Sequence, residues 1–517
     1  MPVLTTTVLE RAAARSHALR RAALAAFGAV VLAAPVALGQ PAQAAPVVAA
    51  PTSATSASAA ASQTRLGSRL SSILNDARSR TETDVSVLDA KTGAVVYSRR
   101  STRASMPASN TKIMTAVAAM HVLGPDYRFS TDVVRRGKVS SGVLHGSLYL
   151  VGHGDPTSRQ SDYAALARKV RAAGITKVTG PLVADGSFFD AQRYNPGWST
   201  SYASEYYAAQ TAALTVAPDV DLDTGTVIVK VKGGARGGRP TLTTTPGAAK
   251  KYLHLVDRAT TTGSTSLSLS RRLGGNSITV RGHVRSGGSW SGLVTVDKPE
   301  LYAAAVFRRE LTRQHVDVEG GTRLGTTPAS RRTRVARDTS MTLSKLLVPF
   351  LKLSNNLHAE ALTKTMGALD GRPGSWSAGL RRTTAYLRGL GVPMKGVTLT
   401  DGSGVTRRNR ITPIALTRTL VEVRDEPWWR AFDTALPVAG VDSHWVGGTL
   451  RHRMNGTRAA DNAHAKTGSL TGVTALSGYV TGRDGRRYAF SMLSSYAGAT
   501  PRPVENELVV MLAGWRG

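Results

Sequence analysis

A long stretch of short β-type segments interrupts a chain that elsewhere carries long helical patterns. From Arg128 to about Thr295, apolar and Thr-rich segments alternate with Gly-containing turns, and one helical pattern lies at residues 163–173. Helical patterns cover residues 66–76 and 110–122 before this stretch, and residues 300–314, 343–366 and 377–390 after it. Strand pairs lie near both ends, at residues 84–98 and 473–493, and a last helix is predicted at 503–515. This order predicts one core of helices and strands, split by a β-rich insertion at residues 129–295.

The N-terminus has the composition of an export signal. Four arginines precede an apolar run at residues 22–38, and small residues follow at Ala42-Gln43-Ala44. This pattern is typical of a secretory signal peptide at residues 1–44, and the run is too short and too interrupted by Pro35 to be a good membrane anchor. Residues 45–63 are rich in Ala, Ser, Thr and Pro and are predicted to be a flexible linker. We therefore predict an exported protein whose mature chain has no transmembrane segment.

Charge and cysteine content narrow the possible functions. The chain has no cysteine, which excludes thiol chemistry and thiolate metal sites. Its formal net charge is +32, and loss of residues 1–44 removes four Arg and one Glu to leave +29. The basic residues are scattered and aromatic residues make up only 6%, which argues against a nucleic-acid site. Outside the cell, anionic wall polymers are the partners that such a charge predicts.

One candidate nucleophile stands at the start of the helix predicted at residues 110–122. Ser109-Asn110-Thr111-Lys112 is the only S-x-x-K pattern in the chain. Residues three apart are neighbours on a helix, so the lysine amine can reach the serine hydroxyl. A lysine whose pKa is lowered by burial can take the serine proton, which predicts Ser109 as nucleophile and Lys112 as its base.

Two further motifs follow in order along the chain. Ser354-Asn355-Asn356 offers a hydroxyl that can relay a proton and an amide that can hold a substrate carbonyl, although an ordinary helix cap has the same composition. Lys466-Thr467-Gly468 can bind a carboxylate through its lysine and its threonine hydroxyl. The same tripeptide occurs at Lys91-Thr92-Gly93, between two predicted strands, where it is best explained as a hairpin turn.

Taken in this order, the three motifs resemble those of penicillin-recognising serine peptidases and serine β-lactamases. Longer matches make the chain similar to peptidase family S13, the D-Ala-D-Ala carboxypeptidases/endopeptidases that form class C of the low-molecular-mass penicillin-binding proteins. The matched segments lie at residues 354–360, 401–409, 152–156 and 185–189. The resemblance covers roughly residues 65–517.

The resemblance implies a fold and a set of domains. The fold is α+β, a penicillin-binding, β-lactamase-like domain with an antiparallel sheet flanked by helices. The catalytic domain would comprise residues 64–128 and 296–517, and the β-rich insertion at 129–295 could contain a nested subdomain at 220–293. The reaction implied is hydrolysis of D-Ala-D-Ala peptides, or of D-Ala cross-links, in peptidoglycan stem peptides through a serine ester. β-Lactams would be covalent inhibitors, and no metal or cofactor is expected.

Roles for individual residues follow from the same resemblance. Ser109 would be the nucleophile and Lys112 its general base. Ser354 and Asn356 would shuttle protons and orient substrate, and Lys466 with Thr467 would bind the terminal carboxylate. The remaining substrate-binding residues would be Thr467, Gly468, Ser469, Asp185 and Arg407. Asp185 and Arg407 together would bind the zwitterionic end of a meso-diaminopimelate side chain. A role for Ser443-His444-Trp445-Val446, which has the character of an insertion near the site, stays open.

Three other functions remain as alternatives. A class A β-lactamase would carry the deacylating E-x-x-L-N element, which this chain lacks. A non-catalytic wall-binding protein on the same scaffold would be expected to have lost a motif residue, and all of them are present. A metallopeptidase would be expected to carry H-E-x-x-H, and none of the 11 histidines lies in that pattern.

Overall fold

The computed structural model describes residues 54–78 and 82–517. The signal peptide predicted at residues 1–44 therefore lies outside the described residues, as does the first part of the predicted linker. The linker was predicted to extend to residue 63, but a helix begins at Ala54. Alanine is the strongest helix former, so this Ala-rich segment extends the helix that the pattern at 66–76 predicted.

Eighteen strands are numbered in chain order over the described residues. They are β1 (Thr83–Asp89), β2 (Val95–Arg99), β3 (Ser130–Ser140), β4 (Val143–Gly152), β5 (Lys177–Val178), β6 (Leu182–Asp185), β7 (Thr226–Lys232), β8 (Thr241–Thr245), β9 (His254–Thr262), β10 (Ser266–Arg271), β11 (Ser277–Arg285), β12 (Ser289–Thr295), β13 (Asp317–Val318), β14 (Thr322–Leu324), β15 (Thr333–Thr339), β16 (His464–Leu470), β17 (Val473–Thr481) and β18 (Arg487–Ser495).

Eleven α-helices accompany these strands in the part of the chain that the structure describes. They are α1 (Ala54–Leu74), α2 (Thr111–Val122), α3 (Gln160–Ala172), α4 (Pro299–Arg313), α5 (Leu343–Lys352), α6 (Asn356–Gly367), α7 (Trp376–Gly389), α8 (Pro413–Glu422), α9 (Trp429–Ala435), α10 (His444–Gly447) and α11 (Arg502–Gly514).

The central sheet joins strands from the two ends of the described chain. Its order is β16-β17-β18-β1-β2, and every neighbouring pair is antiparallel. Val85 in β1 lies opposite Met492 in β18, more than 400 positions away in the chain. The predicted antiparallel sheet is therefore present, and its closure requires the whole insertion to lie between β2 and β16.

Helices cover both faces of this sheet because its central strands are apolar on both sides. On one face, Val85 and Phe490 pack with Leu70 of α1 and Leu508 of α11 in a buried cluster. On the other face, the side chains of β17 and β18 that point away from this cluster pack against α2, α5, α6 and α8. The result is a three-layer α+β architecture, as predicted, with α2 held between the sheet and the helices that follow it.

A second, seven-stranded sheet is built mainly from the predicted insertion. Its main path is β13-β5-β4-β3-β15, and β6 pairs with both β4 and β14. The boundary predicted at residue 295 is too early, since β15 (Thr333–Thr339) pairs with β3 and α4 packs on α3. The helical pattern of α4 resembled that of the core helices, and only long-range pairing shows which sheet it covers.

The residues predicted to contain a nested subdomain form two small sheets. The orders are β12-β7-β8 and β10-β11-β9. Their buried residues, such as Val229 and Val280, belong to the same apolar cluster as Leu148 and Phe307 of the seven-stranded sheet region. The two small sheets thus share a core with the larger sheet.

The helical pattern predicted across residues 343–366 is broken in the structure. α5 ends at Lys352 and α6 begins at Asn356, with Ser354 at a φ of +63° between them. A left-handed conformation at a non-glycine residue costs about 1–3 kcal/mol, so the surrounding contacts must hold it. Apart from this break the predicted helices are present. No helix among the described residues is long and apolar enough to cross a membrane.

Candidate active site

Ser109 lies in a tight turn immediately before α2. A 3₁₀ turn at Ala108–Asn110 leads into the helix, and Ala108 has a φ of +45°. The turn is supported from behind by Gly404, where a Cβ atom would lie 1.8 Å from the Ala108 carbonyl oxygen. Only glycine permits this approach. The backbone therefore presents Ser109 at the helix start, where the sequence placed it.

Lys112 is completely buried one turn after the serine. Its Nζ lies 2.9 Å from Ser109 Oγ, and it donates to Asn356 Oδ1 at 2.6 Å and to the Ser403 carbonyl at 2.8 Å. Burial lowers the pKa of Lys112 to about 7, although the nearby carboxylates of Asp401 and Glu360 act in the opposite direction. A lysine with this pKa is partly neutral near pH 7 and can then accept the serine proton.

The interruption of the helix between α5 and α6 brings the second motif to the same place. Asn356, the first residue of α6, contacts Lys112 through its carbonyl oxygen and donates its amide to the Tyr207 carbonyl at 2.7 Å. Ser354 accepts a hydrogen bond from Lys466 Nζ at 2.8 Å. An unbroken helix would not present Ser354 from a left-handed turn, so the break itself builds this part of the site.

The third motif lies on β16, an edge strand of the central sheet. Lys466 is fully buried and also donates to the Thr467 carbonyl at 2.9 Å, while Thr467 Oγ1 bonds Thr449 Oγ1 at 2.8 Å. Burial lowers the pKa of Lys466 well below its usual value, and repulsion by Lys112 adds to this effect. A Cβ atom at Gly468 would lie 2.8 Å from the Pro107 carbonyl, so this glycine lets the strand approach the turn that carries Ser109.

Two buried carboxylates support the base from behind. Glu360, one turn after Asn356 on α6, accepts from the backbone N–H groups of Gly402 and Ser403 at 3.0 and 2.9 Å. Trp376 Nε1 also donates to Glu360, at 2.6 Å. Burial, followed by repulsion from Asp401, raises the pKa of Glu360 to about 7. Because the Ser403 carbonyl holds Lys112, Glu360 determines where one of the three acceptors of the lysine lies.

The three motifs line one cleft of about 420 Å³. Ser109, Ser354, Asn356, Thr467 and Ser469 all contribute to its walls, while Lys112 and Lys466 reach it through their contacts with the two serines. Ser469 Oγ accepts a hydrogen bond from Arg502 at 2.9 Å. The structure thus brings together all the motif residues that the sequence nominated.

The two residues predicted to bind a diaminopimelate side chain are not brought together in this way. Asp185 is buried, and its carboxylate accepts the backbone N–H groups of Ser187 at 2.9 Å and Thr327 at 2.6 Å. It is absent from the cleft wall and unavailable to a substrate amine, so the role predicted for it needs correction. Arg407 is exposed and donates to the carbonyl of Thr471, a residue of the cleft wall.

Several residues of the site were not found from the sequence. Glu360 is four residues after Asn356, and this helical spacing was the available signal. Ser403 acts through its backbone carbonyl, which no side-chain pattern reveals. Thr449 and Tyr207 reach the cleft from distant loops. Within residues 54–78 and 82–517, no group of three His, Asp or Glu side chains is arranged to hold a metal ion.

A strained serine turn, a buried lysine one helical turn later and an edge strand with a second buried lysine, set between a five-stranded sheet and helices, define the class of penicillin-binding serine peptidases. Comparison with known proteins narrows the class. The model of the D-Ala-D-Ala carboxypeptidase 3 (S13) family matches residues 66–514. The chain belongs to this family, as its motifs predicted.

Individual relatives agree with this assignment. A D-alanyl-D-alanine carboxypeptidase of Actinomadura sp. is 39% identical over 473 residues, which cover 89% of this chain and 86% of the relative. D-alanyl-D-alanine carboxypeptidase DacB of Haemophilus influenzae is 26% identical, over 74% of this chain and 79% of its own. The crystal structure of penicillin binding protein 4 (dacB) from H. influenzae has the same fold, with a TM-score of 0.74, 24% identity and coverage of 86% and 97% of the two chains. The predicted fold class and the predicted enzyme type, a serine-type D-Ala-D-Ala carboxypeptidase, are confirmed.

Proposed function

We propose that this enzyme cleaves D-Ala-D-Ala-ending stem peptides of peptidoglycan through an ester on Ser109. The observation that carries the proposal is the 2.9 Å contact between Lys112 Nζ and Ser109 Oγ, made by a lysine whose pKa burial has lowered to about 7. Neutral Lys112 takes the hydroxyl proton as the serine oxygen attacks the carbonyl carbon. The active-site cleft supplies the other groups that the reaction needs.

Each remaining group has a task that its position supports. The C-terminal carboxylate of the substrate binds Lys466 Nζ and Thr467 Oγ1 at the edge strand. Backbone N–H groups of Ser109 and of the strand near Leu470 stabilise the developing oxyanion. Ser354, which is bonded to Lys466, passes a proton to the leaving amine. Water then hydrolyses the ester, and the proton returns to Ser109.

The same ester serves two substrates, and it also explains inhibition. Cleavage after D-Ala releases a single D-Ala from a stem peptide, or a second stem peptide from a cross-link. A β-lactam has a carboxylate and a reactive carbonyl, so it acylates Ser109 in the same way. The structure of the H. influenzae relative was determined as a complex with a β-lactam, which supports this part of the proposal.

Labelling with a fluorescent penicillin tests the proposal. The protein should be labelled covalently, and mass spectrometry should place the ester on Ser109. Ser109→Ala should abolish labelling, whereas Ser161→Ala, an exposed serine of α3, should not change it. Undiminished labelling of Ser109→Ala would contradict the proposal. Label that is lost within seconds would favour the β-lactamase alternative, because a penicillin-binding peptidase holds the ester for long.

A stem-peptide assay tests the reaction itself. Purified peptidoglycan fragments should lose D-Ala, and cross-linked fragments should be separated by mass to show whether they are cut.

Arg407, at the edge of the cleft wall, is retained as the candidate for binding the side chain of the third stem residue. Its partner in that task is not Asp185.

We also propose that the protein is exported and held near the cell wall by charge. Its signal-peptide pattern and its mature charge of +29 support this. Because the Debye length falls from about 10 Å at 0.1 M salt to about 3 Å at 1 M, high salt should release the protein from washed envelopes. Retention of the full amount at 1 M salt would show that charge is not the tether.

A further inference from the structure

A second cleft adjoins the first, and Asn355 is the only motif residue in its wall. Its volume is also about 420 Å³, and it shares Tyr206, Asp223, Leu353, Asn355 and Thr449 with the active-site cleft. The remainder of its wall includes His444, from the segment Ser443–Val446 whose role the sequence left open, and Arg451, which follows that segment by five residues. The two clefts therefore form neighbouring parts of one depression.

The position of Thr449 shows which end of a substrate would enter this second cleft. Thr449 Oγ1 lies 2.8 Å from Thr467 Oγ1, where the proposed function places the carboxylate that follows the scissile bond. The residue that carries this carboxylate is part of the leaving group, and so is any peptide attached to that residue. Thr449 lines both clefts, so the second cleft adjoins the leaving-group side of Ser109.

A fixed guanidinium stands in the wall of the second cleft. Arg451 Nη1 donates to His444 Nδ1 at 3.1 Å, and Arg451 Nε donates to His452 Nε2 at 3.0 Å. His444 uses its other nitrogen to donate to Asp221 Oδ1 at 3.1 Å. Because a guanidinium can only donate, His444 Nδ1 is the acceptor of this bond, and the contact of Nε2 with Asp221 holds the imidazole in place behind the guanidinium.

Arg451 is the cation of this wall that is free to bind a ligand. Among the described residues, its Nη2 has no hydrogen-bond acceptor and no carboxylate lies within ion-pair distance of it. The other two cations are engaged: Lys352 donates to the Leu436 carbonyl, and Arg453 pairs with Glu505 at 2.9 Å. Two carboxylates also line this cleft. Asp221 is bonded to His444, while burial and repulsion by Asp219 and Asp221 raise the pKa of Asp223 to about 7, which lessens the repulsion of an anion by Asp223.

We propose that the second cleft is a leaving-group subsite in which Arg451 binds a carboxylate of a leaving peptide. The proposal rests on the proposed function and extends it. A leaving D-Ala has one carboxylate, which Lys466 and Thr467 already bind, and it ends before the second cleft. A leaving stem peptide continues past that point and carries another carboxylate. Arg451 is therefore a specificity-determining residue that favours branched or cross-linked substrates over simple D-Ala-D-Ala ends.

Three substrates and three proteins test this subsite. The first substrate is a stem peptide that ends in D-Ala-D-Ala. The second is a cross-linked dimer whose leaving half carries an additional free carboxylate, and the third is the same dimer with that carboxylate amidated. The proteins are the wild type, Arg451→Ala and the matched control Arg458→Ala, which removes an exposed arginine of the same segment outside the cleft.

The expected result is a loss confined to one substrate. Arg451→Ala should lower kcat/KM for the free-carboxylate dimer about ten- to a hundredfold, the range of one charge-assisted hydrogen bond. The D-Ala-D-Ala peptide and the rate of penicillin acylation should change less than about twofold, which also shows that the variant is folded. Amidation should cost the wild type a similar factor and cost Arg451→Ala nothing further. Arg458→Ala should match the wild type throughout.

The outcomes separate the two proposals. If the wild type cleaves the two dimers equally well, and Arg451→Ala cleaves them as fast as the wild type does, the subsite is overturned while the function stands. If the wild type cleaves the D-Ala-D-Ala peptide but not the dimer, the subsite is likewise overturned. If Ser109 is not acylated by penicillin and no peptide is cleaved, the proposed function has failed. Equal losses on all substrates in Arg451→Ala would make Arg451 a structural residue.

Discussion

Two fully buried lysines approach the same cleft, and their surroundings differ. Lys112 has three hydrogen-bond acceptors and two carboxylates nearby, Asp401 and Glu360, and its pKa is about 7. Lys466 has a serine hydroxyl and a backbone carbonyl as acceptors, and its pKa is lowered well below the usual value by burial and by Lys112. No carboxylate among the described residues pairs with Lys466. One lysine is provided with its own anions, and the other is left to obtain one from the substrate.

This difference suggests how binding prepares the reaction. A substrate carboxylate at Lys466 stabilises the protonated form of that lysine. The ion pair so formed holds the carboxylate end of the substrate, and Lys112, with its pKa of about 7, stays available as the base. Under the proposed function the two lysines therefore divide the work: Lys466 binds the substrate carboxylate and Lys112 takes the serine proton.

The largest effect is expected on the rate of penicillin acylation when each of the two lysines is replaced by arginine. Arginine keeps the charge but does not release its proton. Lys112→Arg should lower penicillin acylation about 10²–10⁴-fold, the usual contribution of a general base, and Lys112→Gln should be equally slow. Lys466→Arg should be faster than Lys466→Gln, because charge is what this position requires. Rapid acylation of Lys112→Arg, measured by fluorescent labelling, would mean that another group is the base.

The next effect concerns the carboxylate that Lys466 is proposed to bind. Lys466→Gln should lower kcat/KM for D-Ala-D-Ala peptides about ten- to a hundredfold through the loss of one charge-assisted bond. Amidation of the peptide C-terminus should cost the wild type as much, and should add little in Lys466→Gln. Additive losses in a double-mutant cycle would show that Lys466 and the carboxylate do not meet.

A smaller effect concerns the pH at which Lys112 becomes neutral. Since a lysine is a base only after it loses its proton, acylation should rise with pH through the region of its pKa, about 7. Glu360→Gln removes a nearby negative charge that favours protonated Lys112, so the rise should move to lower pH. The rate at the plateau should also fall, because Gln cannot accept from all three donors that Glu360 serves. A pH profile of penicillin acylation measures both changes, and a rise that moved to higher pH would contradict the assignment.

The smallest effect is expected at the other Lys-Thr-Gly tripeptide. Lys91 and Thr92 are exposed, and both backbone N–H groups bind Asp89 Oδ1 at 2.9 Å in the turn between β1 and β2. Lys91→Ala should leave peptide turnover within about twofold of the wild type. A large loss in a steady-state assay would mean that the first copy also reaches substrate.

Local sequence patterns were sufficient to predict the elements that depend on a few neighbouring residues. Periodicity located α2, α4 and the strands β17 and β18, and the motif order placed Ser109, Lys112, Asn356 and Lys466 in one family of sites. These features are local because helical spacing and strand alternation act over a few residues. The motif residues could be nominated without knowing their distances, since their order along the chain carried the information.

Features that depend on residues far apart in the chain could be seen only in the folded protein. The pairing of β15 with β3 moved the boundary beyond 295, and contacts with distant segments hold Ser354 in a left-handed turn that periodicity read as helix. Asp185 does not fit its predicted role in substrate binding, because its carboxylate accepts a backbone N–H from a loop more than 100 residues away in the chain. The difference between Lys112 and Lys466 has the same origin. Both are lysines in short motifs, and their proton affinities are set by burial and by charges that folding brings near, which no local pattern contains.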